Sequence, residues 1–175
     1  MSKLIFKKDL NDAKRLSALA KQGKIIRIRS GVYTDVAASE IDELVHRRWY
    51  ELVEYLIQDP VAAFRTAVEL KPVEGQVFVI SSIKSRKKYS VGPLTIHVIP
   101  GETVELTELF VPSLARTSLP RQLLENLLPS RVSGGIKKTL GRKWVEEKVC
   151  LDLSVHDEDW INHVRDEAKK VFSFS

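Results

Sequence analysis

Asn11-Asp12-Ala13-Lys14-Arg15-Leu16-Ser17-Ala18-Leu19-Ala20-Lys21-Gln22-Gly23-Lys24-Ile25-Ile26-Arg27-Ile28-Arg29-Ser30-Gly31-Val32-Tyr33-Thr34 is the stretch on which the fold turns. Its first half carries Ala13, Leu16, Leu19 and Ala20 at helical spacing, and Gly23 stands where a C-terminal cap belongs. Its second half alternates apolar and basic residues from Ile26 to Arg29, turns at Ser30-Gly31 and returns through Val32-Tyr33-Thr34. A basic helix followed by a β-hairpin is the order in which a winged helix-turn-helix presents its recognition helix and wing. Lys14, Arg15 and Lys21 then line the helix, and Lys24, Arg27 and Arg29 line the hairpin. A complete module has two further helices before the recognition helix, whereas ten residues precede Asn11.

Downstream, Ser39 and Asp42 stand in a capping-box-like arrangement before Ile41, Leu44, Val45, Trp49, Leu52, Val53, Leu56 and Ile57, which predicts one long helix. Asp59-Pro60 ends it, and Pro60 is placed to start another helix that finishes near Leu70. Gln76 to Ile80 and Leu94 to Ile99 read as strands, with shorter candidates around Val104 and Phe110 and a basic loop from Lys84 to Lys88 between the two longer ones. Pro120 opens an apolar helix through Leu123, Leu124, Leu127 and Leu128. Ser133-Gly134-Gly135 leads to two closing helices, about 142–151 and 155–172. The expected fold class is α+β: a winged-helix-like segment over residues 1–36, shortened at its start, and an α/β body over 37–175 with a small mixed sheet flanked by helices.

With 175 residues, 43% hydrophobic and 29% charged, the chain has enough apolar surface to build one or two cores, which argues against disorder. No run approaches the roughly 20 apolar residues of a membrane-spanning helix, and the first residues lack the pattern of a secretory signal, so a cytoplasmic protein with no membrane partner is expected. Cys150 is the one cysteine; it has no partner for a disulfide within the chain. The net charge of +5 is unevenly spread. Basic residues concentrate in 3–29, 84–88 and 131–148, whereas 40–69 and 152–167 are net acidic. Basic faces of this kind meet phosphate backbones or acidic partners, and they also occur as merely solvated surface.

Lys84, Arg86, Lys87 and Lys88 sit where a strand-connecting tip can touch phosphate, with Tyr89 beside them for stacking or for the core. His156, Trp160 and His163 fall on one helical face near Asp159, but Ser154 as N-cap with Asp157, Glu158 and Asp159 in the first turn accounts for that charge without a metal. His46 and His97 have no evident partner. Walker, dinucleotide, Gly-x-Ser-x-Gly, His-Glu-x-x-His and kinase patterns are absent. The expectation is therefore a protein that is not an enzyme and has no cofactor, no metal and no catalytic residue. An enzyme using His97, His156 or His163 is a distant third reading.

Residues 19–34 resemble the "helix, Gly-(Lys/Glu)-Leu, Arg-x-x-x-Gly-(Val/Leu)-Tyr" segment that opens AbiEi-type antitoxins and related bacterial regulators. Ala63-Phe64-Arg65-Thr66-Ala67-Val68-Glu69-Leu70 is similar to that family's "Ser-x-x-x-Ala-Leu-x-Leu" helix, Val77 to Ile80 to the strand after it, and Arg121-Gln122-Leu123-Leu124-Glu125-Asn126-Leu127 to its "Arg-Ala-Leu-Leu-(Asp/Glu)" helix. The resemblance implies a repressor of its own promoter that counteracts a nucleotidyltransferase toxin, with Lys21, Lys24, Arg27, Arg29 and Tyr33 facing DNA. Residues 127–148 also resemble the antitoxin-like amino-terminal region of some long Fic-type proteins; the Fic signature itself is absent, so no transferase is implied. Two functions follow as expectations. One is an antitoxin-like, DNA-binding transcriptional regulator, for which operator symmetry favours a homodimer. The other is a protein-interaction module that restrains a Fic-type or nucleotidyltransferase toxin without binding DNA.

Overall fold

A computed structural model describes residues 3–101, 103–104, 107–111, 114–128, 130–133 and 135–153. It is an α+β fold in which a six-stranded mixed sheet is flanked by helices. The chain opens with β1 (Leu4–Phe6), α1 (Leu10–Lys21), β2 (Ile26–Arg29) and β3 (Val32–Thr34), whose strands form an antiparallel sheet in the order β1-β3-β2. Strand β1 was not anticipated. Leu4-Ile5-Phe6 is too short to show a period, yet each of its side chains is used: Leu4 and Phe6 join the main core, and Ile5 packs on the other face with Leu16, Ile25 and Tyr33.

The long helix expected over 39–57 is two. After a 3-10 turn at Ala38–Glu40, α2 (Ile41–Arg47) and α3 (Trp49–Leu56) meet at Arg48, whose φ of −107° and ψ of 25° lie outside the helical region. The break lets Leu44, Val45, Trp49, Leu52 and Val53 all reach one core. The Ser39–Asp42 cap does not form; instead the Glu40 carboxylate accepts the Ala37 N–H at 3.3 Å. Nor does Pro60 begin a helix. It precedes β4 (Val61–Ala62), which pairs with a strand on each side, so two buried residues gain a sheet ladder before α4 (Phe64–Glu69) starts.

Strands β5 (Gln76–Ser81), β6 (Lys87–Val91), β7 (Leu94–Pro100), β8 (Thr107–Val111) and β9 (Leu114–Thr117) complete the sheet in the order β6-β7-β5-β4-β9-β8. β5 and β7 run parallel, and β6 lies antiparallel on the outer side of β7. Val104 lies outside these strands, whereas Phe110 falls within β8. β5 is buried along its whole length, as a strand covered on both faces should be. Val77 and Val79 face the core built with α2, α3 and the amino-terminal sheet, while Phe78 and Ile80 face Ala63, Phe64 and Ile136. On that second face lie α5 (Leu119–Leu127), the two-stranded β10 (Val132–Ser133) and β11 (Ile136–Lys137), and α6 (Arg142–Leu153).

A buried polar network fastens this layer. Glu125 and Arg121 are each 3% exposed and pair at 2.9 Å. The Glu125 carboxylate also accepts the Phe64 N–H at 2.9 Å and the Thr117 hydroxyl at 3.3 Å. Asn126 accepts from Leu140 N–H through its side chain and from Gly141 N–H through its carbonyl. Burial pushes the Glu125 carboxyl up, against the opposing pull of the Phe64 N–H and Arg121. Helix α5 thus bears its polar residues inward as ties between α4, α5 and the 138–141 segment.

The main hydrophobic cluster runs across residue 36, joining Leu4, Val32 and Val36 to Leu44, Leu52 and Ile96. The second closing helix, the His156, Trp160 and His163 group, and Gly134 lie outside the described residues. Among those described, no helix is long and apolar enough to cross a membrane, and no group of three or more His, Cys, Asp or Glu is arranged to hold a metal.

Candidate nucleic-acid interface

Helix α1 is held at both ends by local chemistry. The Asp9 carboxylate caps its start by accepting the Asp12 N–H at 2.8 Å. Its end is a Schellman motif: Gly23 N–H bonds Ala20 O at 3.1 Å and Lys24 N–H bonds Leu19 O at 3.0 Å, with Gly23 at φ +70°, a conformation that favours glycine. Leu16 is buried and, with Leu19 and Ala20, packs on Ile25 and Tyr33. The opposite face carries Lys14, Ser17, Ala18 and Lys21, all exposed. Their i, i+3, i+4, i+7 spacing makes one stripe, two cations separated by two small residues.

Lys24 and Arg27 are also exposed. Among the described residues, Lys14, Lys21, Lys24 and Arg27 enter no ion pair. Arg15 differs, because its guanidinium meets Asp12 at 2.9 Å. That hydrogen bond draws the Asp12 carboxyl below its ordinary value.

Two of the residues expected at DNA are engaged within the fold. Tyr33 is 5% exposed and belongs to the small core under α1; its ring is worth more there than in water, so it does not face a groove. Arg29 is half-buried, its guanidinium 5.0 Å from the centre of the Tyr89 ring and its Nη1 3.4 Å from Ser90 O. It ties the hairpin to β6. The hairpin tip points inward too. Gly31 is buried at φ +81°, and a Cβ there would run into the Tyr55 hydroxyl of α3, while Phe6 stacks on Tyr55 with ring centroids 4.7 Å apart.

Lys84, Arg86, Lys87 and Lys88 are all exposed and belong to the larger sheet and the connection leading into it. Lys84 and Arg86 lie in the connection that passes from β5 across the end of β7, while Lys87 and Lys88 belong to β6. The connection is not a hairpin tip, because β7 lies between the strands it joins. Arg86 and Lys87 line a cavity of about 400 Å³ together with Phe78, His97, Ser130, Arg131 and Lys138. His97, for which no partner was expected, stacks on Phe78 with centroids 4.9 Å apart and bonds Gln76 Oε1 at 2.7 Å. Burial and then the neighbouring Lys88 lower its pKa. His46 also has a partner, the Asp42 carbonyl at 2.9 Å. Gly135 approaches the Glu74 carboxylate rather than a ligand-binding turn.

No family model matches the chain, and no curated protein or solved structure matches it significantly.

Proposed function

We propose that the protein is an antitoxin-like transcriptional regulator that binds DNA through α1 and the outer strand β2. The observation that carries this reading is the unpaired stripe of Lys14 and Lys21 on α1, continued by Lys24 and Arg27. Small side chains at Ser17 and Ala18 let the helix axis approach a groove while the flanking lysines reach the phosphates on either side. The β1-α1-β2-β3 unit supports the helix from beneath, since α1 covers one face of its sheet and the body covers the other. In this reading the hairpin braces the helix, and its inward-turned tip does not enter the groove.

The test is fluorescence anisotropy with the upstream DNA and a scrambled duplex across a salt series. Replacing Lys14, Lys21 and Lys24 together with Ala removes three phosphate contacts, so the slope of log K against log salt should flatten by about 2.7, at about 0.9 per contact. An unchanged slope would remove α1 from the interface. The second reading is a protein-interaction module that restrains a Fic-type or nucleotidyltransferase toxin. It is favoured by the docking of the hairpin tip on Tyr55, which withdraws the wing from DNA. Binding to the toxin with no selective DNA binding would decide for it.

A further inference from the structure

The cavity beside β7 is unlike the α1 face. Among the described residues its lining includes Arg86, Lys87, Arg131 and Lys138 and no carboxylate; Lys87 pairs with Val98 and so turns to the other face of the sheet, which leaves Arg86, Arg131 and Lys138 to charge the concave space. None of the four forms an ion pair with another described residue. They come from three separate parts of the chain: the β5–β6 connection with the start of β6, the segment after α5, and the residue after β11. This is not the solvated face of one charged run.

Lys138 is the most constrained of them. Its backbone N–H bonds Ser130 Oγ at 3.0 Å and its carbonyl accepts Arg65 N–H at 3.0 Å. Its ammonium lies 4.2 Å from the centre of the Phe64 ring. Burial, and next the charge of Arg86, hold its pKa below the ordinary lysine value. Like charges gathered at a partly dehydrated spot repel one another, and an anion placed among them relieves that repulsion. The floor is apolar and flat, made by Phe78, the imidazole stacked on it and Ile99. Gln76 fixes that imidazole. Its amide nitrogen donates to Glu74 O at 3.3 Å, which leaves Oε1 toward His97 Nε2 and puts the ring proton there.

We propose that this cavity is a binding site for a phosphorylated small molecule of nucleoside-monophosphate size, with Arg86, Arg131 and Lys138 holding the phosphoryl oxygens and the His97–Phe78 surface taking the apolar or aromatic part. The volume of about 400 Å³ lies within the range of small-ligand sites. Arginine forks suit phosphate geometry, and Lys138 adds a point charge from the inner wall. The site shares no side chain with α1, so its test is independent of DNA binding by that helix.

The probes are AMP, inorganic pyrophosphate and adenosine, titrated calorimetrically into the full chain. Saturable one-to-one binding of AMP, weaker binding of pyrophosphate and none of adenosine is the expected order. Lys138→Met should weaken AMP at least tenfold, as should Arg86→Ala, which alters an exposed side chain and so keeps the test open if Lys138→Met fails to fold. Lys24→Ala should leave AMP binding unchanged. Absence of saturable binding by AMP overturns the proposal, and so does a loss that Lys24→Ala and Arg86→Ala share equally, since that is the behaviour of net charge alone. A duplex that displaces AMP, with the same dependence on Arg86, also overturns it by assigning the pocket to nucleic-acid phosphate.

Discussion

Replacing Gly31 with Ala tests whether the hairpin tip is seated on α3. Two separable costs follow from the geometry. Gly31 holds φ +81°, and placing an L-side chain in the left-handed region costs about 1–2 kcal/mol. The added Cβ also overlaps the Tyr55 hydroxyl; forcing one atom into a packed contact costs a further 1–3 kcal/mol or so. Gly31→Ala should therefore lose about 2–5 kcal/mol in urea unfolding. In a Tyr55→Phe background the overlapping oxygen is gone and the nearest ring carbon is 3.4 Å from the new Cβ, so only the backbone cost of about 1–2 kcal/mol remains. The cycle should thus yield a coupling of about 1–3 kcal/mol between residues 31 and 55. If Gly31→Ala costs the same in both backgrounds to within about 0.5 kcal/mol, the tip is not packed on Tyr55, and the wing is restored as a candidate DNA element.

Glu125→Ala should destabilise by about 3–5 kcal/mol, because it takes the carboxylate from a buried arginine and strips the Phe64 N–H of its acceptor; a loss under about 1 kcal/mol in denaturant unfolding would mean that the pair is not buried in solution. His97 gives a pH signature. Its folded pKa lies below the ordinary imidazole value of 6.5, so between those two values the unfolded chain binds more protons and stability rises with pH. That stability is complete above pH 6.5 and is lost as pH falls through the folded value. Unfolding at a series of pH values from about 5 to 7.5 should show this rise in the wild type and a flatter profile in His97→Gln; parallel profiles would remove His97 as its source.

What the sequence announced well was local. Gly23 marks the end of α1 because only the neighbouring carbonyls and its own φ are involved, and the alternation Ile26-Arg27-Ile28-Arg29 marks β2 for the same reason. The misreadings share one cause, packing partners distant along the chain. The periodicity through Leu44 and Trp49 is continuous, but the curved core requires a break at Arg48. Val61-Ala62 looks like the entry to a helix until β5 and β9 supply ladders on either side. Tyr33 reads as an aromatic among arginines, and only α1 folding back over it makes it core.

The same distinction governs the charges. Lys14 and Lys21 are seven residues apart, so helical geometry alone places them together. Arg86, Arg131 and Lys138 meet only because the β5–β6 connection passes over the end of β7 and the segment around β10–β11 folds back so that Lys137 and Lys138 bond Arg65. In linear sequence the first belongs to a basic loop and the other two to a basic tail, and both look like solvated surface. Register supplies what spacing cannot. Pairing β7 with β5 sets His97 opposite Phe78, so the flat floor is a property of two adjacent strands. Removing Arg86 and removing Lys24 subtract the same charge from the chain. Only the fold says which of the two a bound phosphate would miss, and that is why the comparison of those two variants separates a built site from a basic protein.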